Sequence, residues 1–401
     1  MPFLASRYRR DAFHLVAAGL RGGKGIPDSV ESHPKVFATF TAPSFGAVHT
    51  RRIKGRKTLP CRPRDKARVC PHGVRTGCSV RHAEGDPAIG TPLCLECFDT
   101  EGQVIWNATA PALWHRTWTY FSRELAGVMG MSHRKLLGLV KPRMVKVAEY
   151  QRRGAVHFHA IIRLDAAPPA DDPEAVAPPP AAFTVEVLDQ AVRAVRDSAV
   201  VSCPELAALG RSDTSIRWGD AMDVRAIAGG GPGELTHEAV ASYASKHLVK
   251  GSEALGLAQR RIDDDEDIDA LAAPEHVRRL VWACCVLGRR EEMAGLKLRD
   301  RAHGLGFGGH FLTKSRRYST TMGALRMVRR DHARRQLLGE AGLVLDAWGR
   351  PEGDALVEVV RTWRYVGWGY LSHGEAWLAA TAAARAREQR ELAREELAQV
   401  A

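Results

Sequence analysis

From Met144 to Leu164 the chain reads MVKVAEYQRRGAVHFHAIIRL, and the second half of this stretch alternates. Val156, Phe158, Ala160, Ile162 and Leu164 form one apolar face, whereas His157, His159 and Arg163 fall on the other, which is the two-residue period of a strand. The link Arg152-Arg153-Gly154 suits a three-residue hairpin loop closed by a glycine in the left-handed region. That register pairs Gln151 with Ala155 and sets Glu149 directly opposite His157 and diagonal to His159, on the same face. A slip of one residue would turn the carboxylate to the other face. Downstream the period lengthens to that of a helix. Thr236 is placed to cap it, Glu238 lies in its first turn and Gly251 follows its last. Val240, Ala244 and Leu248 form the buried stripe of this helix, and Tyr243, Lys246, His247 and Lys250 share another face. Val36 to Thr41 reads as a strand, Trp114 to Val128 as a helix, and Phe183 to Leu188 and Ser215 to Ile227 as further strands. The pattern predicts an α+β core, an antiparallel sheet with helices on one side.

Composition narrows the partners. A net charge of +12 and a pI near 9.5 favour a polyanion, and nucleic acid fits better than a membrane because no apolar run approaches the ~18 residues of a spanning helix. The first residues, MPFLASRYRRDAFHLV, hold no secretory h-region, so a cytoplasmic, reducing location is expected and the eight cysteines are not expected to form disulfides. Cys70, Cys78, Cys94 and Cys97 cluster with a final C-x2-C knuckle, the usual pattern of a structural zinc. Cys61, His72 and His82 lie close enough to replace Cys70 or Cys78, so the ligand set stays open. Cys203, Cys284 and Cys285 read as core residues.

Two imidazoles and a carboxylate on one sheet face suit a divalent cation such as Mg2+ or Mn2+, so Glu149, His157 and His159 are the expected ligands. A tyrosine beside cations can attack phosphorus. Its oxygen is a poor nucleophile at a free pKa near ~10, and a metal-polarised phosphate or nearby positive charge supplies the activation. Tyr243, with Lys246 one turn on, fits that role, and Tyr318 in KSRRYSTT is the reserve nucleophile.

Elsewhere, Phe311 to Leu338 carries Lys314, Arg316, Arg317, Arg326, Arg329, Arg330, Arg334 and Arg335 against one acid, Asp331, which suits phosphate contact. Gly304 to Gly309 formally matches G-x-G-x-x-G, but the context is wrong for a dinucleotide site, and Phe307 or Phe311 beside it is a candidate for base stacking. Ala166 to Ala182 is too rich in proline, alanine and acid to pack and reads as an exposed loop, and Ile262 to Asp269 is a second, acidic one. Trp363, Tyr365, Trp368 and Tyr370 read as packing residues. Glu375 to Ala401 reads as a long exposed helix that would frame an interface, as in a homo-oligomer. No Walker A sequence occurs: Gly22-Gly23-Lys24 lacks the upstream glycine and the Ser/Thr.

His157-Phe158-His159 followed by Tyr243-Ala-Ser-Lys246 resembles the HUH endonucleases in their single-tyrosine form, with the tyrosine after the histidines as in rolling-circle initiators rather than before them as in relaxases. VFATFTAPSFGAVH, PLCLECFD, VKVAEYQRRGAVHFHAIIRLD and GFGGHFLTKSRRYSTT resemble the replication initiators of actinomycete plasmids and integrative elements. The resemblance implies metal-dependent nicking and rejoining of single-stranded origin DNA through a 5′-phosphotyrosine, with a host helicase and DNA polymerase as partners because the chain has no ATPase motif. The chain is therefore expected to divide into a discontinuous HUH domain over 30–55 and 108–252, a zinc-binding insertion over 56–107, a Pro/Ala-rich loop over 166–182, and a basic, mainly helical DNA-binding or accessory region over 270–401. An HUH transposase or a non-catalytic zinc-containing DNA-binding regulator are the alternatives; paired-tyrosine transposases would carry a second tyrosine near position 247, where His247 stands.

Overall fold

The computed structural model describes residues 2–63, 69–228, 235–248, 255–257, 262 and 268–340. They run α1 (Pro2–Arg21), β1 (Lys35–Phe40), a small ribbon β2 (Arg52–Lys54) and β3 (Lys57–Leu59), then α2 (Thr100–Val128), α3 (His133–Leu139), β4 (Val140–Tyr150) and β5 (Val156–Ala166). Next come α4 (Val185–Ser198), a second ribbon β6 (Val201–Ser202) and β7 (Ser215–Ile216), β8 (Met222–Ala226), α5 (His237–Leu248), α6 (Glu275–Leu287), β9 (Leu312–Lys314) and α7 (Met322–Glu340). The chain forms two compact units, 1–329 and 330–401. Of the second, only the end of α7 is described. Lys250, Gly251, most of the acidic loop, the aromatic group Trp363 to Tyr370 and the tail Glu375 to Ala401 lie outside the described residues.

The main sheet is antiparallel throughout, in the order β8-β1-β5-β4-β9. Its two faces bury different cores. Val36, Ala38, Phe40, Ala148, Phe158, Ala160, Ile162 and Leu164 pack with residues of α2, α3, α4 and α6. On the reverse face Phe37, Val145, Val147 and Ile161 pack with Ala12, Leu15 and Val16 of α1 and with Val240, Ala241 and Ala244 of α5. The expectation of helices on one side therefore fails: a strand whose reverse face carries Ile161 and Val147 between the polar positions still needs apolar cover. Arg163 is fully buried beneath that cover. Its guanidinium pairs with both Asp165 carboxylate oxygens (2.7 and 2.9 Å), and His33 meets the same carboxylate at 2.8 Å, the partnering a buried charge requires.

Three further expectations are corrected. Phe183 to Leu188 is not a strand. Thr184 caps α4 by accepting a hydrogen bond from the Val187 amide (3.4 Å), and Leu188, Ala191, Val192 and Val195 bury a helical stripe that outweighs the brief alternation. α2 starts fourteen residues before the predicted Trp114, at Thr100, because Asp99 caps it at the Gly102 amide (2.9 Å). It runs through Pro111 because burial of Val104, Ile105, Trp106, Ala110 and Leu113 exceeds what one lost backbone bond costs. Nor does a boundary fall between residues 252 and 270. α6 packs in the first core and β9 pairs with β4 from Val145↔Lys314 to Val147↔Leu312, so the region after 270 completes the sheet.

Candidate metal and nucleophile site

The hairpin of β4 and β5 has the register read from the sequence, with Glu149 opposite His157 and Val147 opposite His159. Gly154 closes the turn at φ +83°, and a Cβ there would sit 2.5 Å from the Leu280 side chain. Each turn carbonyl is held by a helix side chain. His276 donates to that of Arg152 (3.0 Å), Gln103 to Arg153 (2.8 Å) and Asn107 to Gly154 (3.0 Å). Asn107 also donates to the Leu305 carbonyl (2.9 Å) and accepts from the Val156 amide (3.0 Å). The turn is thus fixed from α2 and α6, and the strands that carry Glu149, His157 and His159 are fixed with it.

Glu149 Oε2 lies 3.3 Å from both His157 Nε2 and His159 Nε2. Two ligands of a divalent ion at right angles, about 2.1 Å from it, are separated by roughly 3 Å, so the three atoms fit one ion. Thr39 Oγ1 lies 3.1 Å from His159 Nδ1; a proton donated there leaves Nε2 its lone pair for a cation. Imidazole hydrogen bonds hold the Glu149 carboxyl far below the usual carboxylate range although burial opposes this. Burial lowers His159 to about 4, so it is neutral, as a ligand must be.

α5 brings the tyrosine. Thr236 caps it through the Ala239 amide (3.1 Å), and Val240, Ala244 and Leu248 are buried as the stripe predicts. Tyr243 Oη lies 3.5 Å from His159 Nε2, while its side remains 41% exposed and open to a substrate. A cavity of about 280 Å³ lined by Phe37, Thr39, Asp223, Arg225 and Val240 adjoins it. Burial, with the Glu149 carboxylate, pushes its phenol up to about 12. His247, one turn on, is the site residue that sequence reasoning missed. It is buried, contacts Glu149 Oε2 through Nδ1 and lies tilted against the Tyr243 ring with centroids 3.9 Å apart. Its i, i+4 spacing from Tyr243 was the available signal. Lys246 is half-buried on the same helix. Tyr318, the reserve nucleophile, is fully buried with its ring against the Arg163 guanidinium at 5.3 Å.

The cysteines do not gather as the single set Cys70, Cys78, Cys94 and Cys97. Cys70, Cys94 and Cys97 converge with His72, and Cys78 instead joins His49, Cys61 and His82. His72 Nδ1 is 3.2 Å from Cys97 Sγ and 3.8 Å from Cys94 Sγ. Loss of hydration opposes ionisation of Cys70, yet the Val74 and His72 amides and the neighbouring thiols bring it down to about 6, while Cys97 is pushed up to about 11. Cys203, Cys284 and Cys285 are buried, as expected.

The basic segment divides. Lys314 Nζ donates to the carbonyls of Arg316 (3.0 Å) and Ser319 (2.9 Å), Arg317 pairs with Glu174 and Arg329 with Asp11. Arg316, Arg326 and Arg330 are exposed. Phe307 is buried and packs with Phe311 against Tyr150 and Phe158, so these rings are core rather than base platforms. Gly306 turns at φ +87° against the Val104 carbonyl, a close helix contact rather than a ligand loop. No helix among the described residues is long and apolar enough to cross a membrane.

A family model described as the replication initiator protein of pSAM2 matches residues 3–384. A replication initiator protein of Streptomyces ambofaciens is 41% identical over 397 residues, which are 98% of this chain and 79% of that protein. No solved structure matches the chain. The match runs from α1 through the hairpin and α5 to beyond α7, and with it the chain belongs to the replication initiator family of pSAM2.

Proposed function

We propose that this replication initiator is an HUH endonuclease, which nicks and rejoins one strand of origin DNA through Tyr243 to start rolling-circle replication of a plasmid or integrated element. The observation that carries the reading is the convergence of Glu149, His157 and His159 on one point with the Tyr243 oxygen 3.5 Å from a ligand nitrogen. Mg2+ or Mn2+ held by these three side chains would neutralise charge on the scissile phosphate. Tyr243 attacks in line through its oxygen, since its phenol is protonated at neutral pH and is a nucleophile only where positive charge offsets the lost proton. The phenolic proton passes to water, the P–O3′ bond breaks, and the 3′ oxygen takes up a proton as a free hydroxyl that primes a host polymerase. The 5′ phosphate stays on Tyr243 as a diester, so the reverse attack rejoins ends without ATP. Lys246 stabilises the phosphate or the phenolate. His247 orients Glu149 and supports the tyrosine ring.

Arg316 and Arg326 are exposed cations that would meet DNA phosphates, and a host helicase would supply unwinding. Structural zinc on Cys70, His72, Cys94 and Cys97 stabilises the insertion between β1 and α2, which contributes few apolar residues to either core. The protein acts in the cytoplasm. The test is incubation with labelled single-stranded oligonucleotides tiling the replicon's origin, with Mn2+, followed by denaturing electrophoresis. Wild type and Tyr318→Phe should give a covalent adduct, while Tyr243→Phe and His159→Ala should give none. An adduct that survives Tyr243→Phe refutes the assignment.

A further inference from the structure

We propose that the insertion between β1 and α2 binds two zinc ions in a cross-braced arrangement, the second held by His49, Cys61, Cys78 and His82. These four side chains present one ligand atom each, all within 4.8 Å of one another, as do Cys70, His72, Cys94 and Cys97. The separations match a tetrahedron. With Zn–N near 2.05 Å and Zn–S near 2.3 Å, tetrahedral ligands stand roughly 3.3 Å apart for two nitrogens and roughly 3.6 Å for nitrogen and sulfur. His49 Nδ1 and His82 Nε2 are 3.2 Å apart, and His82 Nε2 is 3.6 Å from Cys78 Sγ.

The surroundings are those of a built site. His82 and Cys61 are buried, at 3% and 1% exposure. His82 Nδ1 donates to Asp86 Oδ2 at 2.6 Å, which fixes the tautomer and leaves the Nε2 lone pair aimed at the centre of the four. The Thr50 amide donates to Cys61 Sγ (3.1 Å), the partner a thiolate takes. Backbone pairing sets the two cysteines side by side. The Arg62 amide donates to the Cys78 carbonyl (2.8 Å), the Cys78 amide to the Arg62 carbonyl (3.0 Å) and the Cys61 amide to the Val80 carbonyl (2.9 Å).

Ligand pairs alternate along the chain. His49 and Cys61 belong to one site, Cys70 and His72 to the other, Cys78 and His82 to the first, and Cys94 and Cys97 to the second. Neither ion alone can therefore fix the fold of the segment. The second site also reaches the hairpin: Arg152 of the turn donates to the carbonyls of Asp86 (2.9 Å) and Glu84 (3.0 Å), and a Cβ on Gly90 would lie 2.4 Å from that of Arg152. The carboxylate that positions His82 thus belongs to a loop seated on the turn between the strands of Glu149 and His157.

This inference is independent of the nicking chemistry, and its test is run in a His157→Ala/His159→Ala background so that no ion at the nuclease site enters the count. Elemental analysis of the purified chain should give two zinc ions. X-ray absorption should show a mean of two and a half sulfur neighbours per zinc, from two thiolates in one site and three in the other. One zinc with three sulfurs, or none, overturns the proposal. Adding Cys61→Ser should remove at least one zinc from the folded protein, and retention of both would also overturn it; if that variant does not fold, the parent count decides.

Discussion

Asn107→Leu isolates how the β4–β5 hairpin is held. The Asn107 side chain is fully buried and serves three backbone groups of other elements: it donates to the Gly154 and Leu305 carbonyls at 3.0 and 2.9 Å and accepts from the Val156 amide at 3.0 Å. Leucine has nearly the same shape and fills the space, so no water can enter to replace the lost bonds. All three backbone groups are then left buried and unpaired, at about 1–3 kcal/mol each. These penalties sum to about 3–9 kcal/mol, and burial of the apolar leucine offsets part of them, so the expected net loss is about 3–5 kcal/mol, a large part of the ~5–15 kcal/mol that holds a native protein together. Urea and thermal unfolding followed by circular dichroism measure it, and a shift in melting temperature of roughly 5–10 °C is expected. Thr119→Ala on the same helix is the control. Its hydroxyl donates to the His115 carbonyl at an exposed position (2.8 Å), so the change should stay within about 0.5 kcal/mol. A loss below about 1 kcal/mol for Asn107→Leu would show that the turn does not depend on α2 and would refute the reasoning.

His247→Ala should raise the Mn2+ concentration needed for half-maximal cleavage by about 10–100-fold while leaving the fold intact, because it removes the group that contacts Glu149 and packs against the Tyr243 ring; an unchanged Mn2+ titration would place His247 outside the site. Lys146 gives a pH signature: burial lowers its folded-state pKa from 10.5 to about 8. Between these values the unfolded chain binds the extra proton, so the term raises stability with pH from about 8 to 10.5 and is flat below and above. Lys35 carries a shift of the same sign, also to about 8. Lys146→Met should therefore reduce, not abolish, the rise, by roughly 3 kcal/mol over that window in urea titrations; an identical slope in wild type and variant would count against a buried ammonium at this position.

Local register was legible in the sequence. In a hairpin closed by a glycine, the two-residue period and the turn length together fix which side chains face each other, so Glu149, His157 and His159 were placed before any tertiary contact was known. The stripe of α5 was readable for the same reason, because 3.6 residues per turn put Val240, Ala244 and Leu248 on one side and Tyr243 on another. What tertiary structure decided was partnership across long separations. Nothing in the spacing of the cysteines distinguishes Cys78 from Cys70 as a partner of Cys94; the backbone pairing of Arg62 with Cys78 does, by drawing Cys78 to Cys61. Alternation misread Phe183 to Leu188 because a short segment fits both periods until the burial of Val192 and Val195 selects one. The charge of the 311–338 segment was visible, but whether a cation meets solvent or a carbonyl was not: Lys314 is committed to Arg316 and Ser319 by the fold of its own loop, whereas Arg326 is exposed. His247 joined the site only when α5 crossed the reverse face of the sheet, since its contact with Glu149 spans about a hundred residues and depends on packing that no local period encodes.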